Sequence, residues 1–456
     1  MLVGSERITP TRSKTVQLHI GIDDTDSRKG GCTTYIAARL VETIANLGTQ
    51  FIDYPNIIRL NPNIPYKTRG NAAVALRVNV PIGTYDLVRE EVLHEIEKNS
   101  ELGRPGTDPA VVFVRGNPTS AIRRFSRRAL WDVLHEDDAV RIIRSAGESA
   151  LAYGTRLGLV GALAAVGQTL TGDHTFELVA YRTKSNCGTT RRVDEKSVKR
   201  MDRLTASKTF NNYDLENSRI LITPHGPDPV LLGIRGETPS VLRKAFSIIR
   251  IYEPIERWVI FRTNHGTDAH FNAIPPSGPI EPDRPVILRG TVGDRPWRIS
   301  GGHVFFTLHN QKGRWTCAAF EPTGNFRKTV ANLIPGDRVT AYGAAKKNQT
   351  RQSLTINLEK IMIHRLVEKR QLENPRCPSC HKHMKSAGRD QSFRCKKCSI
   401  TLPKSRKTVT TAARSVMLGL YVPALKAHRH LTKPLSRYGQ EKTWDLRPPS
   451  GKWHNP

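Results

Sequence analysis

Four cysteines near the carboxyl end constrain what this chain can fold into more than any other feature. They form two C-x-x-C pairs, separated by fourteen residues, at Cys377, Cys380, Cys395 and Cys398. Each C-x-x-C turn directs two thiolates towards one point, and two such turns complete a tetrahedron around Zn²⁺. Because sulfur fills all four positions, no coordination position stays open for chemistry. The spacing therefore predicts a structural zinc ribbon over residues 370–410.

Cysteine usage and the amino-terminal residues also bear on location. There are seven cysteines, an odd number, and residues 1–16 contain no apolar core of a secretory signal. These two features indicate a reducing compartment, so we predict a cytoplasmic protein whose residues 1–16 form a disordered extension. No apolar stretch approaches the ~20 residues that cross a bilayer, so no membrane association is expected.

The charge of the chain predicts a polyanionic partner. Lysine and arginine number 71 against 41 aspartates and glutamates, a net charge of +30. Residues 366–456 alone carry 20 basic and 5 acidic residues. Such an excess favours nucleic acid, because each neutralised phosphate releases counterions. The basic tail at 411–456 is either an RNA-contacting arm or a solvated segment, and the sequence leaves both open.

A proline-rich segment divides the rest of the chain. Residues 272–285 contain five prolines and no hydrophobic periodicity, which is typical of a linker. Before it, strand-like and helix-like segments mix, which predicts an α/β or α+β body. After it, residues 284–365 contain five strand-like segments with one helix between the third and fourth. This order matches an OB-fold, although an SH3-like or sandwich module would also fit.

An acidic segment followed by glycines and threonines is the candidate chemical site. The stretch HIGIDDTDSRKGGCTTY places Asp23, Asp24 and Asp26 at the end of a predicted strand, before a predicted helix. Carboxylates are hard oxygen ligands that suit Mg²⁺. A helix amino terminus favours phosphate, and the intervening residues Gly30, Gly31, Thr33 and Thr34 could cradle it. The pattern predicts a nucleoside-triphosphate site, with an acidic turn that only caps the backbone as the alternative.

Four segments together resemble a known family. They are GIDDTDSRKGGCTTY, RLNPNIPYKTRGNAAV, HGPDPVLLGIRGETPSVL and FRTNHGTDAH, followed by the barrel-like region and the zinc ribbon. In this order they resemble the archaeal tRNA 2-agmatinylcytidine synthetases over about residues 17–410.

The resemblance implies an activity. The family uses ATP to join agmatine to the position-2 carbon of the wobble cytidine in an isoleucine tRNA with a CAU anticodon, so that the tRNA reads AUA. It implies phosphorylation of the position-2 oxygen of cytosine, displacement of that phosphate by the agmatine amine, and AMP as the final nucleotide. It also implies a phosphorylated threonine, which aligns with Thr33, and a metal-holding segment, which aligns with Asp23, Asp24 and Asp26.

The resemblance further implies a domain plan. We expect a discontinuous kinase-like domain at residues 17–60 and 131–200, and a ferredoxin-like domain at 61–130 and 201–275. The OB-fold and zinc ribbon follow, so the expected fold class is multidomain α/β and α+β.

Other polar residues are candidates for binding substrate. Agmatine carries a guanidinium and an amine that must lose a proton, so Asp228, Asp268 and His265 are candidates for its site. Each could equally have a structural role, as turn-forming aspartates and buried histidines commonly do. Lys67 and Arg69 are candidates for holding ATP or RNA phosphate, although a solvated basic loop is an equal alternative.

Two other classes of function stay open. The first is a non-catalytic single-stranded nucleic-acid-binding protein, which would not consume ATP. The second is a different ATP-dependent RNA modifier, which only substrate identity separates from the activity that the resemblance implies. Nothing in the sequence implies a protein partner.

Overall fold

The structure is a computed structural model, which describes residues 14–67, 70–275, 278–348, 353–388, 392–403 and 407–455. The predicted amino-terminal extension therefore falls almost entirely outside the described residues. The chain divides into two compact units. The first contains the chain up to Val286, with Ala344–Ser353 and the residues from Ala424 onward; the second contains Ile287–Gly343 and Leu354–Pro423.

The first unit is built on helices and strands that alternate along the chain. Its helices are α1 (Thr33–Ala45), α2 (Tyr85–Asn99), α3 (Ser120–Arg128), α4 (Glu136–Ser145), α5 (Gly158–Gly167), α6 (Glu195–Leu204), α7 (Pro239–Ile248) and α8 (Ala269–Asn272). Its strands up to the linker are β1 (Thr15–Asp23), β2 (Gln50–Phe51), β3 (Asn56–Arg59), β4 (Ala72–Pro81), β5 (Ala110–Arg115), β6 (Ser149–Ala152), β7 (Thr175–Arg182), β8 (Thr209–Phe210), β9 (Tyr213–Asp214), β10 (Arg219–Ile220), β11 (Val230–Gly236) and β12 (Ile255–Thr263).

One large mixed sheet runs through this unit, in the order β6-β5-β1-β4-β3-β12-β7-β11-β8, and β2 pairs with β4. Its two halves meet where β3 and β12 lie parallel, with Arg262 opposite Asn56. The predicted interleaving of a kinase-like and a ferredoxin-like domain stays a prediction.

Helix α1 shows how the sequence pattern places the site. Ile36, Leu40 and Ile44 recur every four residues and are fully buried, so this face packs on the sheet. The helix therefore begins directly after the acidic loop, with Cys32 as its N-cap residue. Strand β1 ends at Asp23, which confirms the predicted strand end.

The second unit is a barrel followed by the four-cysteine module. Its elements are β13 (Pro285–Val292), β14 (Trp297–Arg298), β15 (Val304–Asn310), β16 (Gly313–Ala319), α9 (Asn325–Ala331), β17 (Arg338–Lys347), β18 (Leu354–Arg365), β19 (Lys369–Glu373), β20 (Lys385–Ser386), β21 (Phe393–Arg394), β22 (Thr401–Leu402), β23 (Thr408–Ala412) and β24 (Gly419–Tyr421). Helix α9 follows the third long strand, β16, as the OB-fold prediction requires. The barrel closes where β13 also pairs with β15. The multidomain α/β architecture with an OB barrel and a zinc-ribbon-like cluster is thus confirmed.

The tail returns to the first unit. Its last strand, β25 (His454–Asn455), pairs with β12. The Trp453 ring lies 5.3 Å from Phe51, and the Trp444 ring lies 5.6 Å from Phe176, measured between ring centroids. Residues 424–455 are therefore part of a folded unit. Within the described chain, no helix has the length and apolar character needed to cross a membrane.

Candidate active site

The predicted acidic segment forms one wall of a cleft. Asp23, Asp24 and Asp26 line this first cleft, which has about 720 Å³ of open volume, together with Lys67 and Asp132. Asp24 has a left-handed backbone conformation, with φ of 57°, and its Oδ2 accepts a hydrogen bond from the Asp108 N–H at 3.1 Å. The sharp turn after β1 thus turns successive carboxylates into the same cleft.

Helix α5 makes room for the first of these carboxylates. A Cβ atom at Gly161 would lie 1.7 Å from Oδ2 of Asp23, so only glycine fits at this position. Sequence reasoning missed this residue, although the small-residue run GLVGALAAVG of α5 was a signal of close packing.

The carboxylates of the first cleft resist ionisation. Burial, followed by the charge of Asp24, raises the pKa of Asp23 well above its ordinary value. Burial is also the main cause that raises the pKa of Asp24 to about 6, and the charges of Asp108 and Asp26 add to it. Several negative charges therefore share a cleft with few cations, and a divalent cation would relieve this repulsion.

The glycine loop after the aspartates is a tight turn. The Ser27 N–H donates to the Gly30 carbonyl oxygen at 2.9 Å, and Gly31 has φ of 74°. A Cβ atom at Gly31 would lie 3.0 Å from Glu101 Cγ, so the glycines also permit the close approach of this carboxylate. Phosphate binding by Gly30 and Gly31 stays a prediction.

The start of α1 opens into a second cleft. The side chain of its N-cap residue, Cys32, makes no capping hydrogen bond, so its amino terminus can attract an anion. The Thr25 hydroxyl donates to Oγ1 of Thr33 at 3.0 Å. Thr33 and Thr34 both line the second cleft, and Asp26 lines both clefts. Thus Asp26 stands between the other two aspartates and the threonines.

The far wall of the second cleft consists of charged residues that sequence reasoning mostly missed. Oε1 of Glu177 lies 3.0 Å from Nε of Arg235, and Oε2 lies 3.6 Å from a guanidinium nitrogen of Arg59. Burial raises the pKa of Glu177, but Arg235 and its other cationic neighbours outweigh burial and hold this pKa well below its usual range. The only sequence signal was their position in or at the end of apolar strands.

The three residues predicted to bind agmatine separate in the structure. Asp228 lines the second cleft and pairs with Arg191 at 3.2 Å. His265 lies behind this wall, with Nδ1 3.5 Å from Glu177, and burial lowers its pKa to about 4.

Asp268 instead contacts the tail. Its Oδ1 accepts from the Lys433 N–H at 3.0 Å, and its Oδ2 from the Tyr438 hydroxyl at 3.1 Å. Both oxygens thus anchor the tail, which favours a structural role for Asp268. Of the predicted phosphate contacts, Lys67 lines the first cleft and donates to the Pro62 carbonyl oxygen, whereas Arg69 lies outside the described residues.

The four cysteines converge as their spacing predicts. The sulfur atoms of Cys377, Cys380, Cys395 and Cys398 all lie within 4.8 Å of one another. The Cys398 N–H is the main cause that lowers the pKa of Cys395 to about 6, which favours the thiolate that a metal needs. The set fits a tetrahedral Zn²⁺ site closed to substrate. Elsewhere in the described chain, no three potential ligands converge in this way.

Family models match the chain in four consecutive ranges. The TiaS TCKD domain matches residues 19–155, and the TiaS FLD domain matches residues 157–270. An OB-fold nucleic acid binding domain matches residues 286–363, and the TiaS C-terminal zinc ribbon domain matches residues 374–416.

Whole-chain comparisons agree with these matches. The isoleucine-tRNA 2-agmatinylcytidine synthetase TiaS of Staphylothermus marinus is 39% identical over 96% of this chain and 98% of its own length. The crystal structure of a complex of TiaS with its isoleucine tRNA and ATP is similar with a TM-score of 0.82 and 40% identity, covering 95% of this chain and 99% of that one. The crystal structure of a complex of TiaS with the same tRNA, AMPCPP and agmatine is similar with a TM-score of 0.81 and 38% identity, covering 95% of this chain and 100% of that one. The chain therefore belongs to the isoleucine-tRNA 2-agmatinylcytidine synthetase family.

Proposed function

We propose that this protein uses ATP to join agmatine to the position-2 carbon of the wobble cytidine in an isoleucine tRNA with a CAU anticodon. Family membership supports the reaction, since relatives carry this activity in their name and one neighbour was solved with an isoleucine tRNA, AMPCPP and agmatine. The observation that carries the proposal is the position of Asp26, which lines both clefts. The two chemical steps, phosphorylation of the cytosine and attack by agmatine, can then take place in adjoining clefts.

In the first cleft, Asp23 and Asp24 are the proposed ligands of Mg²⁺ that accompanies ATP. The donor set fits, because Mg²⁺ commonly takes one or two carboxylates together with phosphate oxygens and water. Burial is the main cause of the raised pKa of both groups, and a bound divalent cation would favour their ionised forms. Bound Mg²⁺ would neutralise charge on the phosphates during transfer.

The second cleft is proposed to hold agmatine. Agmatine carries two cationic groups, and the Glu177, Asp228 and Asp26 carboxylates line this cleft. Phosphorylation converts the position-2 oxygen of cytosine into a leaving group. The agmatine nitrogen then forms a bond to the carbon, the carbon–oxygen bond breaks, phosphate leaves with that oxygen, and the nitrogen loses a proton. Thr33, at the edge of this cleft, is the proposed phosphoryl acceptor within the protein.

The second unit is the proposed tRNA-binding part. On the barrel, the Trp297 ring stacks on Phe305 at 5.9 Å, and the Phe320 ring lies 6.3 Å from Phe305. Trp297 is 40% exposed, so this aromatic surface can stack with an unpaired base. A purely nucleic-acid-binding protein would account for this surface but not for the carboxylate-lined clefts. We also propose a cytoplasmic location, because zinc-binding thiolates persist in a reducing compartment.

The direct test is nucleoside mass spectrometry after incubation of a CAU-anticodon isoleucine tRNA with ATP and agmatine. The wild-type protein should form agmatinylcytidine, Asp24→Asn should form none, and Asp86→Asn, a carboxylate in the first turn of α2, should match wild type. A product that carries a different amine, or agmatine attached to a different base, would indicate another RNA modifier. With γ-labelled ATP, Thr33→Ala should lose protein-bound label while Thr34→Ala keeps it.

A further inference from the structure

A third cavity, here called the basic cavity, lies where three distant segments of the first unit meet. It has about 990 Å³ of open volume and is lined by Lys346 of the Ala344–Ser353 segment, by residues 429–431 of the tail and by eight residues of the β3–β4 region, which are Arg59, Leu60, Pro62, Asn63, Ile64, Lys67, Gly70 and Asn71. It shares Lys67 and Asn71 with the first cleft, and Arg59 with the second. The basic cavity therefore adjoins both clefts.

The charges around the basic cavity favour an anion. Four of its lining side chains are cationic, and no carboxylate lines it among the described residues; the four are Arg59, Lys67, Lys346 and Arg429. Among the described residues, Glu177 pairs with Arg59 at 3.6 Å and Asp283 pairs with Lys346 at 2.5 Å, both from outside the lining. Lys67 and Arg429 also donate to neutral oxygens, on Pro62 and Asn63. The lining therefore presents positive charge to whatever enters the cavity.

Two buried donors in the same place lack an acceptor. Nδ2 of Asn63 and Nε of Arg59 are buried and have no hydrogen-bond partner in the described part of the chain. Asn63 is 2% exposed, and its Oδ1 already accepts from Arg429, so the amide presents only its N–H groups. Buried donors are nearly always paired in folded proteins, which points to an absent acceptor-rich ligand. The Arg59 charge also lowers the pKa of His430 at the cavity well below its usual range, as expected in a positive potential.

We propose that the basic cavity binds one phosphate group of the tRNA backbone, next to the nucleotide that enters the clefts. The proposal rests on the proposed function, because it requires an RNA substrate. A phosphate supplies acceptor oxygens for the Asn63 amide and for guanidinium and ammonium groups together. The phosphates of ATP are the other source of the same chemistry, but the carboxylates that suit their Mg²⁺ lie in the first cleft.

The test measures tRNA affinity and its salt dependence without ATP, so that it does not depend on catalysis. Arg429→Gln removes one charge from the cavity, and Lys98→Gln removes one from the exposed side of α2 as a matched control. We expect Arg429→Gln to weaken tRNA binding by about threefold to tenfold relative to the control. The slope of log affinity against log salt should fall by about one.

Two further variants keep the result interpretable. Arg429→Lys retains the charge and should restore most of the affinity, which separates charge loss from misfolding. Asn63→Asp has the same shape but replaces the donor by a negative charge, and it should weaken tRNA binding at least as much as Arg429→Gln.

Three outcomes decide the proposal. Weaker tRNA binding with unchanged ATP affinity supports an RNA phosphate. Weaker ATP affinity with unchanged tRNA binding overturns that assignment in favour of nucleotide phosphate. Cavity variants that behave like Lys98→Gln in both assays also overturn it. A wild-type protein that does not bind the tRNA would instead count against the proposed function itself.

Discussion

The zinc ribbon (residues 374–416) and the tail (residues 424–455) are both strongly basic, but most basic side chains described in the ribbon are exposed, whereas several in the tail are buried in ion pairs. The ribbon has 11 lysines and arginines against one aspartate, and the tail has seven against two acidic residues. In the ribbon, the described lysines and arginines up to Lys407 are all exposed and none of them pairs with a described carboxylate, whereas Arg414 pairs with Asp337 at 2.6 Å. In the tail, several are buried and paired.

Arg437 shows how the tail differs. Its guanidinium is 1% exposed and lies 2.6 Å from Glu237 and 2.9 Å from Asp173. Lys433 pairs with Asp173 and Glu441, and Lys442 with Glu237. A count of charges along the sequence therefore overstates how many basic side chains of the tail are available to RNA. Several of them already pair with carboxylates, most of which come from distant parts of the chain.

The largest expected effect concerns this buried network. Arg437→Met should lower the free energy of unfolding by about 3–5 kcal/mol, because it leaves two carboxylates without their main partner. Arg394→Met in the ribbon, an exposed position, should change it by no more than about 0.5 kcal/mol. Urea unfolding followed by tryptophan fluorescence measures both, and equal effects would remove the contrast between the two regions.

The second effect concerns the metal. Cys395→Ser should release zinc and weaken tRNA binding by about tenfold, because the metal folds its own small module and presents the basic residues. Unfolding of the first unit should stay unchanged. Cys187→Ser, a single cysteine of the first unit, is the control, and it should retain one zinc per chain by metal analysis. Full tRNA affinity after zinc loss would contradict a role for the ribbon in RNA binding.

A smaller effect separates exposed from paired lysines. Lys382→Gln together with Lys396→Gln in the ribbon should reduce the salt slope of tRNA binding by about two, if each contacts one phosphate. Lys442→Gln in the tail should leave the slope unchanged, because this ammonium is already neutralised by Glu237. Fluorescence anisotropy over a salt series gives both slopes, and a loss of slope in the tail variant would show that its pairing opens on RNA binding.

The smallest effect is a pH dependence of the tail's docking. Burial raises the pKa of Asp173, but Arg437 and Lys433 outweigh burial and lower it below its ordinary value of 3.8. A depressed folded-state pKa contributes stability at pH values above about 4, and this contribution is lost as pH falls further. Wild type should therefore lose more stability than Asp173→Asn between pH 5 and 3, roughly, in thermal unfolding. Parallel curves for the two proteins would argue against the ion pairs.

Several features followed from the sequence because their physics is local. The zinc cluster depends on two turns and a fixed spacing, so Cys377 to Cys398 could be assigned from the spacing alone. The end of β1 at Asp23 and the start of α1 at Thr33 followed from a change of hydrophobic period and from helix-end chemistry. The order of strands with one helix after the third, which is typical of an OB-fold, was also predicted from the hydrophobic pattern.

The clefts themselves were only partly predictable. Asp23, Asp24 and Lys67 were predicted as site residues from the loop in which each of them lies. Gly161 became part of the site only because α5 packs against the end of β1. Asp268 illustrates the opposite case, since its carboxylate accepts hydrogen bonds from Lys433 and Tyr438 of the tail. No pattern in the loop around it could indicate partners that lie about 170 positions away in the chain.

The sequence pattern was enough to predict the α/β body followed by an OB barrel and a four-cysteine cluster, and to place the acidic loop between β1 and α1, because each of these features depends on neighbours within a few turns of chain. Which charges are neutralised depends on the three-dimensional arrangement of the chain. Arg437 and Lys433 of the basic tail, for example, both pair with Asp173, which lies 264 positions before Arg437 in the chain. Electrostatic energy depends on distance and burial, and folding brings these groups together from segments that the sequence keeps hundreds of residues apart.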